Sequence, residues 1–253
     1  MKSLPIRRKK FWLALLVAVV AGLFFLVYRH HRMIKLYHTV LWGGTSEAHT
    51  SVVQLASFHG EEATELLLCI ASPRRTFLDR RQDLAVQLLA KRKDPQVAAR
   101  LAEALNPQSA LALRTAVAKA LLDMECNRAC TESVLHYLER MSWGELNVEE
   151  AFERDPDLRF QLKPEQDEVV NKLQRVLWKD QGLTIDVLTD KYGLGSDYPS
   201  SFGLHIVEAL NLRSACPALE KSSHATFDTT LSGRLQILER KLECPAASPR
   251  SRP

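Results

Sequence analysis

Five cysteines and eight histidines are the side chains of this 253-residue chain best able to do chemistry. Cys126 and Cys130 flank a short turn, and Cys216 and Cys244 each precede a proline at a segment end. In an oxidising compartment these four are the expected disulfide cysteines. Cys216 is expected to pair with Cys244, and Cys126 and Cys130 can close a small loop; sequence leaves the connectivity open. Cys69 lies in the apolar helical pattern Leu66 to Ile70 and reads as a small, buried core thiol. Cys-x3-Cys without a second ligand pair nearby is poor zinc spacing, so no metal site is expected. His30, His31 and His38 follow the long apolar run and read as solvated interface residues. His59, His136, His205 and His224 have no partner at ligand spacing and read as surface or satisfied core histidines. Glu149 and Glu153 are a carboxylate pair of the kind an enzyme with dispersed catalytic residues could use, but on an acidic segment solvation is the plainer reading. The chain has no hydrolase elbow, phosphate-binding loop, paired-histidine zinc helix or dinucleotide fingerprint. No catalytic residue and no cofactor is therefore expected.

Two other stretches could bind rather than react. Leu183 to Leu194 is similar to the opening of a helix-turn-helix, which would make the chain a membrane-tethered DNA-binding regulator over 183–212. Thr189 stands where that motif packs an alanine, and Pro199 falls where a recognition helix should form. Gly193 to Gly203 is the most loop-like stretch. Its aromatics Tyr198 and Phe202 are the expected partner-binding residues if they are exposed, with burial in the body as the alternative.

These residues must be positioned by helices, and the first helix has the clearest signature. The first 46 residues contain no acid, and Phe11 to Tyr28 is uninterrupted apolar sequence. Eighteen residues at ~1.5 Å each span about 27 Å, close to a hydrocarbon core. Trp12 and Tyr28 sit at its ends as membrane-interface anchors. The run is long for a signal peptide and exits through Tyr28-Arg29-His30-His31-Arg32, a poor cleavage site, so an uncleaved signal anchor is expected. Five lysines and arginines precede the run (Lys2, Arg7, Arg8, Lys9, Lys10) and three follow closely (Arg29, Arg32, Lys35). That bias favours a cytoplasmic N-terminus and an extracytoplasmic body, periplasmic in a bacterium. Ala14, Ala18 and Gly22 share one helix face and could allow self-association.

The formal charge of +4 belongs to this anchor. Residues 1–35 hold eight of the 34 basic residues and none of the 30 acidic ones, leaving 26 against 30 in the remainder. A mildly acidic body argues against nucleic acid as a partner.

Met33 to Trp42 continues the helical pattern, with Met33, Ile34, Tyr37, Val40 and Leu41 on one face. It could lie in the membrane interface or dock on the body. From Ser46 to Met141, breaks at Gly60, Pro73, Asp94-Pro95, Asn106-Pro107 and Asn127 give six helices near 46–57, 61–71, 76–92, 95–105, 108–124 and 128–141. Positions recur at a spacing of 33: Leu55, Leu88 and Leu121; Leu68, Leu101 and Val134; Arg81 and Arg114; Asp94 and Asn127.

Leu88 to Leu105 resembles a HEAT-type repeat, matching at Asp94, Pro95, Val97, Ala102, Ala104 and Leu105, with Ala98 in place of the usual arginine. The copies at Gly60 to Ala71 and Cys126 to Leu138 fit loosely. The resemblance implies an α-solenoid and protein–protein contact, and no chemistry. A generic helical bundle is the alternative.

The expected fold is all-α: a transmembrane helix, then an α-solenoid of HEAT-like helix pairs, then a smaller C-terminal helical region. The expected organisation is a basic cytoplasmic tail (1–10), transmembrane signal anchor (11–28), juxtamembrane segment (29–45), helical repeats (46–141), acidic linker (142–164), C-terminal helices (165–244) and a disordered tail (245–253). The last helices are expected near 165–180, 185–192, 201–212 and 226–242. The expected function is a non-catalytic scaffold, embedded in the lipid bilayer, that binds a partner protein near the membrane.

Overall fold

A computed structural model describes residues 6–73, 80–142 and 156–245 of the chain. Most of the acidic linker with Glu149 and Glu153, the first half of the basic tail and nearly all of the C-terminal tail lie outside these residues. Among the described residues the fold is all-α, with no strand.

The first helix, α1 (Ile6–Trp42), runs unbroken for 37 residues, about 55 Å. Within it Ala14–Trp42 is long and apolar enough to cross a membrane. The apolar side chains from Leu15 to Tyr28 are exposed, whereas Met33 and Val40 are buried against the body. Residues 33–42 therefore dock on the body and do not lie apart in an interface. Gly43-Gly44 turns the chain into α2 (Thr45–Ser57).

Next come α3 (Glu61–Ala71), α4 (Arg81–Ala90), α5 (Pro95–Glu103), α6 (Leu111–Asp123) and α7 (Arg128–Ser142). Their ends follow local chemistry. Asp94 accepts a hydrogen bond from the Gln96 N–H at 2.8 Å while Pro95 occupies the first helical position, where its missing N–H costs nothing. The Asn127 side chain accepts from the Cys130 N–H at 3.0 Å and caps α7 in the same way. Gly60 precedes α3 at φ 117°, a conformation closed to residues with a Cβ.

Beyond residue 155 lie α8 (Pro156–Lys179), α9 (Gln181–Tyr192) and α10 (Ser201–Ala209). A 3-10 turn, Arg213–Ala215, leads into α11 (Cys216–Ala225), followed by α12 (Thr229–Lys241). The α8 helix starts inside the expected linker. The apolar pattern does not mark α11; Pro217 at its start is the local signal for it.

Packing joins both alternate and consecutive helices, with α3 also set closely against α4. The α2 helix packs on α4, α4 on α6 and α6 on α8, while α3 packs on α5, α5 on α7 and α7 on α9. The first row begins with α1 on α2. The α1 helix runs antiparallel to α2, whereas the α2/α4 and α6/α8 pairs run parallel. Arg81 at the start of α4 donates to the carbonyls of Val40 and Gly43 beside the start of α2, and Arg92 just past α4 donates to Phe58 O, just past α2, at 3.1 Å. Lys179 at the end of α8 reaches Leu122 O near the end of α6. One buried cluster runs from Met33 to Leu242 and includes Leu55, Leu89, Leu101, Leu121, Val134, Leu173 and Leu188. Leu88 is only partly buried and its neighbour Leu89 points fully inward, a one-residue shift from the spacing of 33.

Candidate interaction surfaces

The junction between α1 and the body carries several hydrogen bonds and ring contacts. Tyr28 ends the apolar run, and Arg29 donates to His59 O. The guanidinium groups of Arg29 and Arg32 lie 6.0 and 5.8 Å from the Phe58 ring centroid, within cation–π reach. His30 pairs with Glu62 while its side chain stays 62% exposed. Arg92 joins the same junction, donating to Phe58 O and to Thr64 Oγ1, and to Gly60 O at 3.4 Å. Partial burial lowers the Arg92 pKa from its ordinary value, and the nearby Asp94 carboxylate opposes that shift.

Beside this junction an open groove of about 620 Å³ runs between α3 and α5, lined by Glu61, Glu65, Arg92, Gln96 and Arg100 among others. Arg100 pairs with Glu65 across it. The Cys69 thiol is free and exposed, not buried as expected. The buried stripe of α3 is Ala63, Leu67, Leu68, Ile70 and Ala71, and 100° per residue carries position 69 off that face.

The remaining cysteines are joined as Cys126–Cys130, with Cα atoms 5.3 Å apart, and Cys216–Cys244, 5.5 Å apart. The second bond fastens the start of α11 to the residues just past α12. It floors a groove of about 930 Å³ that also exposes Arg213, Glu220, His224 and Arg240. One carboxylate oxygen of Glu239, Oε1, is buried there with no hydrogen-bond partner. Burial raises its pKa, Glu220 adds to the rise and His224 opposes it.

The two aromatics of the 193–203 stretch separate. Tyr198 is 66% exposed. Phe202 is 4% exposed and packs on Tyr192 with ring centroids 5.2 Å apart. It is a core residue and cannot present its ring to a partner. The cause is local: Ser200 caps the Gly203 N–H at 3.0 Å, starting α10 one residue before Phe202 and turning it inward. Burial also raises the Tyr192 pKa above its ordinary value, and the Glu139 carboxylate, 3.2 Å from the hydroxyl, adds to the rise. Gly193 closes α9 in the left-handed conformation, φ 67°. The connection 193–200 then separates α9 from α10 by more than the three or four residues of a helix-turn-helix turn.

Two further side chains hold buried polar atoms without partners. Arg114 is 5% exposed, donates to Tyr137 Oη at 3.1 Å and leaves its Nε without a partner. His49 Nε2 is also buried and unpartnered. Among the described residues no three His, Cys, Asp or Glu side chains gather as a metal cluster would require. Trp12 and Tyr28 are exposed near the two ends of the apolar run, and nothing lies within 4 Å of a Cβ placed on Gly22. No family model matches this chain, and comparison with curated proteins and with solved structures finds none similar to it.

Proposed function

We propose that the chain is a single-pass membrane scaffold, an α-solenoid of HEAT-like helix pairs that holds a partner protein close to the bilayer without catalysing a reaction. The observation that carries this reading is the continuity of α1. The exposed apolar run passes into the docked segment without a break, and Met33 and Val40 are buried in the body's core. A body joined in this way has a set height above the membrane, which suits positioning another protein. The succession of α2 on α4, α4 on α6 and α6 on α8, with α3 packed on α4 and α5 on α7 beside it, supports the solenoid reading.

The topology proposed places the N-terminus in the cytoplasm and the body outside. Two disulfides suit that side, since cytosolic thiols are kept reduced. Tyr198 remains the aromatic proposed for partner contact, now without Phe202, and the α3/α5 groove is the next surface to test.

The experiment combines carbonate extraction, a C-terminal reporter active on only one side of the membrane, and crosslinking in intact membranes. The expected result is a carbonate-resistant protein, an externally active reporter and a discrete adduct formed through the body. Tyr198→Ala should weaken that adduct without lowering thermal stability. A protein released by carbonate, or a reporter active only in the cytoplasm, would overturn the reading.

A further inference from the structure

We propose that the α4–α5 turn, Lys91-Arg92-Lys93, is a second membrane contact of the body and rests on the headgroups of anionic phospholipid. This builds on the reading of α1 as the membrane anchor. The argument is one of height. The apolar run stops at Tyr28, and Arg29 and Arg32 bind the Phe58–His59 turn at once. At ~1.5 Å per residue, positions 29–32 lie about 2–6 Å beyond the end of the run. That is within the headgroup layer, roughly 5–7 Å deep on each side of the hydrocarbon. The 58–60 turn therefore sits at headgroup level.

Arg92 carries that level sideways. Its guanidinium donates to Phe58 O at 3.1 Å, to Gly60 O at 3.4 Å and to Thr64 Oγ1. Parallel packing of α2 and α4 already brings their C-terminal ends to the same edge. The turn holding Arg92 thus lies directly beside the 58–60 turn. Lys93 has φ 52°, the left-handed conformation in which the chain reverses just past the helix end. Lys91 and Lys93 are exposed on this turn.

Of the nearby acids only Glu65 is neutralised by a cation, Arg100. Glu62 pairs with His30, Glu65 with Arg100, and Asp94 accepts the Gln96 N–H; Glu61 remains exposed. Lys91, Arg92 and Lys93, with Arg29 and Arg32 on the adjoining turn, outnumber the charged Glu61, Glu62 and Asp94 at this corner. Lysines at that height are attracted to an anionic surface within a Debye length.

The test measures the reactivity of each lysine in the full-length protein. The protein is placed in phosphatidylcholine nanodiscs, or in nanodiscs that also contain phosphatidylglycerol. Lysines are methylated with formaldehyde and a borane, both neutral reagents, and read by mass spectrometry. Lys221, exposed on α11, is the internal reference. Lys91 and Lys93 should react about threefold more slowly, or slower still, in the anionic discs, as a negative surface potential holds their protons. Lys221 should not change. Equal rates in both discs would overturn the proposal. So would equal protection by inorganic phosphate added to the phosphatidylcholine discs, which would indicate a simple anion site. Release by carbonate would remove the anchor reading itself; retention with no lipid-charge effect would remove only this inference.

Discussion

Arg92, Phe202 and Glu239 show how a single side chain here depends on its surroundings. Phe202 is packed on Tyr192 inside the core, so Phe202→Ala should cost about 3–5 kcal/mol. Tyr198→Ala on the exposed loop should fall within about 0.5 kcal/mol of the parent. Urea unfolding of the two variants checks the contrast, and equal losses would mean the loop is part of the core. Glu239 makes a pH prediction. Burial and Glu220 hold its folded pKa above the ordinary 4.5, so the folded state keeps the proton longer than the unfolded chain. Its contribution favours folding below that range and is lost as pH rises through the raised value. Stability should therefore carry a declining component from about pH 4.5 upward that Glu239→Gln lacks. Denaturation at a series of pH values tests this; an unchanged profile in the variant would count against it.

At the scale of the element, caps and core leucines divide the work. Leu101 is 1% exposed in α5, and Leu101→Ala should cost about 2–5 kcal/mol. Asp94→Ala removes only the cap on the Gln96 N–H and should cost about 0.5–2 kcal/mol. Chemical denaturation ranks them, and the reverse order would mean that α5 is held by its cap and not by its apolar face. The disulfides should rank as well. Cys216–Cys244 closes a separation of 28 residues and Cys126–Cys130 only 4. Chain-entropy arguments give about 3–4 kcal/mol for the longer loop and about 2 kcal/mol for the shorter. Paired Cys→Ala replacements should lower the melting temperature in that order.

For the whole molecule, α1 is both the apolar helix and part of the body's core. Met33 and Val40 are among the most buried side chains in the protein. Arg81 donates to the carbonyls of Val40 and Gly43 at the end of the same segment. A fragment beginning at Arg29 should melt close to the full chain, whereas one beginning at Thr45 should melt lower because α2 loses its neighbour. Calorimetry of both fragments decides it. Equal melting temperatures would mean that the docked segment adds nothing to the body.

Local chemistry made much of this architecture readable before any tertiary structure. The apolar run from Phe11 to Tyr28 determines a continuous helix because nothing along it interrupts the backbone pattern. Gly60, Asp94-Pro95, Asn127 and Gly193 determine helix ends because caps and left-handed turns act within a few residues. Periodicity places α2, α3, α5, α6 and α7 within about three residues of their observed bounds, whereas the start expected for α4, near 76, lies outside the described residues. Burial was less legible, since it belongs to two facing surfaces. Cys69 is exposed where burial was expected, and of the two loop aromatics only Phe202 turned inward, for that reason. The choice of Leu89 over Leu88 depended on the faces of α2 and α6. The α11 helix is not legible in the sequence because its middle, Glu220 to His224, is polar and its register is set by packing on α12 and the Cys216–Cys244 bond. The sequence alone thus determined the helices and their caps. Tertiary structure decided which side chains face inward and that the end of α1 is core, because those outcomes depend on partners far away along the chain.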